Sequence, residues 1–187
     1  MCGGRGTRLD GDVEKPLFEV AGSPMVEAVC DALLDSRVAH VFAATSPHAP
    51  ETRARLRARD KVTVVETPGE GYVPDLDAAL AEVGRPALTC AADLPLLAGD
   101  AVDDVLAAHA ARDGSSLTVA VPAALKRSLG LSADTVLRED GWELAPTGVN
   151  VVGGDGSGAV WVTGDERLAV NVNRPADATV AARLATR

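Results

Sequence analysis

The sequence predicts an α/β fold: a Rossmann-like, mostly parallel central sheet flanked by helices, in one domain spanning 1–187. Three observations lead there. Short apolar runs alternate with amphipathic stretches at the spacing of β-α-β units. A loop with three glycines in four positions, Gly3-Gly4-Arg5-Gly6, opens the chain. Polar groups gather where apolar runs end, which is where an open sheet places its ligand loops.

The elements follow in order. A phosphate-type loop leaves the carboxyl end of a strand, yet only Met1 and Cys2 precede Gly3. The expectation is that Met1 is an internal methionine and that the first strand lies upstream, truncated from this chain. Val26, Val29, Cys30, Leu33 and Leu34 share one helical face, with Ser23 as cap and Pro24 at the first helical position. Val38–Thr45 reads as a strand, Pro50–Asp60 as an Arg-rich solvated helix and Lys61–Glu66 as a strand. Pro68–Gly71 is a loop and Asp75–Val83 a helix. Pro86–Ala92 is a buried strand ending at Asp93. Val102, Val105, Leu106 and His109 mark the next helix, and Leu117–Pro122 the next strand. From Ala123 to Gly158 the pattern loosens, leaving room for a lid or a dimerisation segment, so a homodimer is one expectation. Gly148–Val152, Ala159–Thr163 and Leu168–Val172 read as short strands, and Pro175–Ala185 as a closing helix.

Composition narrows the function. The chain has 187 residues, 47% of them hydrophobic, enough for a real core. A net charge of −9 argues against nucleic-acid partners. Only Lys15, Lys61 and Lys126 are lysines, and this Asp-rich, Lys-poor balance suggests a halophile, with a GC-rich genome as the alternative. Cys2, Cys30 and Cys90 are odd in number and widely spaced, so no disulfide or zinc framework is expected and a reducing cytoplasm is the default. No apolar run reaches membrane-spanning length.

The opening loop carries the chemistry. Successive backbone N–H groups in such a loop form an anion-binding concavity. Arg5 and Arg8 add planar cationic donors, and Lys15 a mobile point charge. The Walker pattern fails because Thr7-Arg8 follows Gly6, and the dinucleotide fingerprint fails because Leu9 stands where its third glycine belongs. Asp93, at a strand end, either holds Mg²⁺ against phosphate oxygens or braces a turn. Pro68–Leu76 either closes over a nucleoside, with Tyr72 packing and Asp75 accepting from base or ribose, or is a strand–helix turn. Asn171 and Asn173, one side of a strand by alternation, contact a ligand or cap the last helix. Thr45-Ser46-Pro47 is a strand-end polar cluster or a simple turn. His40, His48 and His109 offer neither metal spacing nor a nucleophilic triad.

In order along the chain stand Glu14-Lys15-Pro16-Leu17, Ala44-Thr45-Ser46-Pro47, Gly69-x-Gly71-Tyr72-x-x-Asp75-Leu76, Asp93-Leu94, Pro146-x-Gly148-Val149-Asn150-Val151-Val152 and Asn171-Val172-Asn173. With the opening loop, this series resembles the archaeal GTP:adenosylcobinamide-phosphate guanylyltransferases of cobalamin biosynthesis, in the wider molybdenum-cofactor-guanylyltransferase-like superfamily. The resemblance implies the nucleotidyltransferase fold and a cytoplasmic enzyme. It also implies transfer of GMP from GTP to adenosylcobinamide phosphate, releasing pyrophosphate. Arg8, Lys15 and Asp93 are then the expected catalytic groups, with Asp93 holding Mg²⁺. Gly3, Gly4, Arg5, Gly6, Thr7, Thr45, Gly71, Asp75, Asn171 and Asn173 are the expected nucleotide contacts. No acidic residue stands beside Asn171 as a second ligand, where many sugar nucleotidyltransferases carry Asp. Alternatives are guanylyl transfer to molybdopterin or another phosphate acceptor, and a nonenzymatic GTP-binding regulator.

Overall fold

The computed structural model describes residues 1–2, 13–112, 115–154 and 158–186. The glycine loop, with Gly3, Gly4, Arg5, Gly6, Thr7 and Arg8, therefore lies outside the described residues. After a 3₁₀ turn at Lys15–Leu17 come β1 (Glu19–Val20), β2 (Ser23–Pro24), α1 (Met25–Leu34), β3 (Val41–Thr45), α2 (Pro50–Arg57), β4 (Val62–Glu66), α3 (Tyr72–Val83) and β5 (Ala87–Cys90). Then follow α4 (Gly99–Ala110), β6 (Ser116–Pro122), α5 (Ala123–Leu129), β7 (Leu137–Glu139), β8 (Trp142–Val152), β9 (Gly158–Val162), a 3₁₀ turn at Glu166–Ala169 and α6 (Pro175–Leu184).

Strand directions reveal the design. β3 and β4 are parallel, and so are β6 and β9. β8 runs antiparallel to β5, β6 and β7. Met1 N–H donates to Cys90 O at 2.8 Å while Ala92 N–H donates to Met1 O at 3.2 Å. That offset is a parallel bridge. Cys2 N–H donates to Ala44 O at 2.8 Å on the other side. The mostly parallel, Rossmann-like arrangement is therefore present, with β8 the inverted strand.

Met1 and Cys2 thus stitch β3 to β5 at their carboxyl ends. Among the described residues no ladder joins the two strands below them: β3 pairs with β4 on its other side, and β5 with β8. Between them lies an apolar slot of about 430 Å³, lined by Val29 and Leu33 of α1 and by Leu76 and Leu80 of α3. The main core sits beyond it. Val102 and Val105 of α4 pack on Leu117, Val119, Val149 and Val151 of the larger sheet, all 3% exposed or less.

Several expected elements differ. Ser23 and Pro24 form β2, so Pro24 is the N-cap of α1 rather than its first residue, and no side chain caps that end. α3 begins at Tyr72, three residues before Asp75. Leu168–Val172 is not a strand. Its first residues belong to a 3₁₀ turn, whose N-cap Asp165 accepts from Arg167 N–H. The loosened stretch after Ala123 holds α5 and a hairpin of β7 and β8. Its turn is Asp140-Gly141, with φ of 48° and 80°. Such a pair is the strongest short-range hairpin signal, because both residues take positive φ. The short strand expected at Gly148–Val152 is the end of an eleven-residue β8.

Candidate active site

Chain segments meet where β5 ends. Asp93 O accepts from Val172 N–H at 2.9 Å, which ties residues 171–173 to the end of β5. Asp177, 1% exposed, gathers the next segment. Its carboxylate accepts from Asn173 N–H (3.1 Å), Arg174 N–H (3.0 Å), and both the N–H and hydroxyl of Ser132 (3.0 Å each). A carboxylate at the first turn of α6 also complements the helix dipole. The loop carrying both asparagines is therefore held by backbone bonds rather than by strand pairing. The two residues were expected side by side through alternation; they converge by this other route.

Lys15 arrives from the opposite direction. Glu14, just before it, accepts from Glu51 N–H at 2.8 Å and Thr52 N–H at 2.7 Å. Those donors are free groups of the first turn of α2, so Glu14 serves as a remote cap. Pro16 is buried beside it. The Lys15 ammonium, so placed, donates to Asp93 Oδ2 at 2.6 Å and to Asn173 Oδ1 at 2.8 Å. Both side chains of the ion pair retain under a fifth of their exposure, enough screening from water to strengthen the pairing.

Asn171 completes the cluster. Its amide donates to Thr147 O at 2.7 Å and, more weakly, to Asp93 Oδ1 at 3.4 Å. Its oxygen accepts from Lys126 Nζ at 2.8 Å. Burial pushes the Lys126 ammonium below its ordinary range, while Asp177, Asp93 and Asp134 oppose that shift. Gly148 lets this happen. It adopts φ +82°, and a Cβ there would lie 3.1 Å from Ala91 and 3.2 Å from the Asn171 amide nitrogen.

Beside the cluster opens a cleft of about 460 Å³. Lys15, Asp93, His48, Gly69, Gly71 and Tyr72 line it. His48 Nε2 lies 3.2 Å from Gly69 O. Of the sequence-predicted residues, Lys15, Asp93, Asn171 and Asn173 come together, and Gly71 lies on the cleft wall. Asp75 does not face it. That carboxylate is 4% exposed and accepts from Gly69 N–H at 2.7 Å, so it braces the loop that forms the wall. Thr45 is fully buried, and its hydroxyl finds no hydrogen-bond partner among the described residues. Its backbone oxygen accepts from Thr67 N–H at 2.9 Å. Glu14, Lys126, Gly148 and Asp177 were not singled out for these roles by sequence reasoning. Lys126 sits in a helix where a lysine reads as solvated, and nothing in its spacing marks it. No cluster of three His, Cys, Asp or Glu side chains suited to a metal occurs among the described residues. Cys30 and Cys90 are core residues, their thiols pushed up by burial to about 11 and about 12.

Comparison with known proteins agrees with this picture. A solved CMP:2-keto-3-deoxy-manno-octonic acid synthetase with CTP superposes with a TM-score of 0.69 at 14% identity, over 95% of each chain. A Bacillus anthracis structure described as a candidate glucose-1-phosphate thymidylyltransferase reaches a TM-score of 0.74 at 11% identity, over 98% of this chain and 92% of that one. At such identities the likeness establishes the fold. Among proteins of described function, the adenosylcobinamide-phosphate guanylyltransferase of Methanocaldococcus jannaschii is 34% identical over 110 residues, 57% of this chain. The match spans 56% of that relative's length. The MobA-like NTP transferase domain matches residues 1–140. The chain belongs to the MobA-like NTP transferase family.

Proposed function

We propose that the protein transfers GMP from GTP to adenosylcobinamide phosphate, giving adenosylcobinamide-GDP and pyrophosphate. The observation that carries this reading is the Lys15 ammonium, held between Asp93 and Asn173 at the edge of an open cleft. The name of the Methanocaldococcus relative supports the choice of guanylyl donor and cobinamide acceptor.

The reaction needs little from a general base. A phosphate monoester has a second pKa of about 6, so the acceptor oxygen is already ionised near neutral pH. It attacks the α-phosphorus of GTP, and the bond from that phosphorus to the β-bridging oxygen breaks. Pyrophosphate leaves with the electron pair. Alignment and charge neutralisation then account for the rate. Lys15 sits where its ammonium can turn from Asp93 to the phosphates lying in the cleft. Residues 69–72 form the opposite wall, where a nucleoside packs against Tyr72, which is 54% exposed. The residues also fit a divalent cation. The Asp93 carboxylate and the Asn173 amide oxygen converge on one cationic group, here the Lys15 ammonium, and both are hard oxygen donors suited to Mg²⁺. Bound there, Mg²⁺ would supply charge stabilisation for the triphosphate.

The test is pyrophosphate release from GTP with cobinamide phosphate or molybdopterin as acceptor. Release with cobinamide phosphate alone supports the reading. Release only with molybdopterin replaces the acceptor, and GTP binding without release with either one overturns the transferase reading.

A further inference from the structure

Lys126 is 4% exposed, and Asn171 Oδ1 is its one hydrogen-bond acceptor among the described residues. A buried ammonium so sparsely paired is an expensive core residue; a methionine of similar shape would fill the space without the desolvation cost. Its chemistry explains its place. An ammonium only donates, so it takes the oxygen side of the Asn171 amide and commits the NH₂ side to Thr147 O and Asp93 Oδ1. Asp93 is thereby held from two directions. Lys15 grips Oδ2 from the cleft, and Asn171, backed by Lys126, meets Oδ1 from the buried side.

The two cations differ in reach. Lys15 lines the cleft and is free to move toward an anion there. Lys126, closed off in the core, is not. We propose that Lys126 is a positioning residue: acting through Asn171, it keeps the Asp93 carboxylate aimed at the cleft when Lys15 swings away to a nucleotide. This deepens the transferase reading and rests on it, but the arrangement itself is open to a test that uses no substrate.

In Lys126→Met the fold should survive with a lower melting temperature, because the desolvation cost of the ammonium is removed but Asn171 Oδ1 and the buried Asp177 lose a compensating charge. Turnover should fall about tenfold to a hundredfold, the effect of a small misplacement of a reacting group, with KM for GTP changed less than about threefold. Asn171→Ala should give a similar loss of kcat. The double variant should lose no more than either single one, since both act through one chain of contacts. Unchanged kcat in Lys126→Met, losses that multiply in the double variant, or a loss that follows a fall in folded fraction would each overturn the proposal. The substrate-free readout is NMR of the Asn171 side-chain amide protons in the unliganded protein. Slowed exchange in the wild type, kept in Lys15→Ala and lost in Lys126→Met, supports the arrangement even if the acceptor has been misjudged. Equal protection in wild type and Lys126→Met contradicts it.

Discussion

The end of the sheet at Asp93 and the slot beneath Met1 and Cys2 are neighbours built on opposite principles. At Asp93, five side chains from distant parts of the chain share four hydrogen bonds: Lys15 to Asp93 and Asn173, Asn171 to Asp93, and Lys126 to Asn171. Backbone groups of Val172 and Thr147 add more. In the slot, β3 and β5 face each other across about 430 Å³ lined largely by valines, leucines and alanines, with no ladder between them among the described residues. One region is over-determined by directional contacts. The other has hydrophobic walls and lacks the ladder that would hold two sheet halves together. The difference shows that the site's geometry is held by directional side-chain contacts, while among the described residues β3 and β5 are joined by Met1 and Cys2.

A single substitution should do most damage at Asp93. Asp93→Asn should lower turnover at fixed Mg²⁺ by roughly a thousandfold, because a hard cation bound there would lose the Asp93 carboxylate and Lys15 loses its ion-pair partner. A kinetic titration with Mg²⁺ checks this; an unchanged Mg²⁺ dependence would reduce Asp93 to a turn residue. Lys15→Ala should cost on the order of a hundredfold in kcat while GTP affinity shifts only a few-fold, since the lost charge matters most as the leaving group gains charge. Near-normal turnover would remove Lys15 from the chemistry.

The slot sharpens the comparison from the other side. Four Val or Ile residues added ahead of Met1 should continue the parallel bridge along β5 and β3 and bury apolar area on both faces. Burial at about 25 cal/mol per Å² is offset in large part by an ordering entropy of about 1–2 kcal/mol per residue, leaving a net gain on the order of a few kcal/mol. Chemical denaturation of both forms measures it, and equal stability would show that the slot does not take a strand.

A further effect, read in stability rather than activity, is expected in the apolar core around the slot. Burial holds Cys30 near 11 and Cys90 near 12, against 9.0 for a free thiol. The unfolded chain therefore releases these protons first as pH rises past about 9. Stability should fall from there toward the folded values, because the folded state then binds more protons. Denaturation midpoints between pH 8 and 10.5 would show the slope, and Cys90→Ala should flatten it. An unaltered slope would mean the thiols are not the source.

Legibility follows the same divide. Lys15, Asp93, Asn171 and Asn173 were readable because short polar residues beside glycine, proline or a strand end have few purely structural uses. The alternating pattern was readable for β3 through β6 because apolar periodicity reports burial directly. Lys126 was opaque: helical spacing marks apolar faces, and a lysine on one looks like a solvated residue. The segment 168–172 misled because Leu168, Ala169, Val170 and Val172 pack into the hydrophobic core from irregular backbone, with no ladder partner among the described residues. Pro146 and Gly148 broke the pattern of β8, although a Cβ at Gly148 would lie 3.2 Å from the Asn171 amide nitrogen. β7, exposed along its length, offered no alternation, so only Asp140-Gly141 marked the hairpin.

Under the proposed function, the polar cluster at Asp93 drives GMP transfer to a phosphate on a corrinoid. The most direct measurement is GTP-dependent pyrophosphate release by the wild-type protein with Mg²⁺, with and without cobinamide phosphate. Release is expected only when the acceptor is present, with a matching amount of cobinamide-GDP. GTP bound tightly but never converted, with cobinamide phosphate or any other phosphate acceptor, would contradict it.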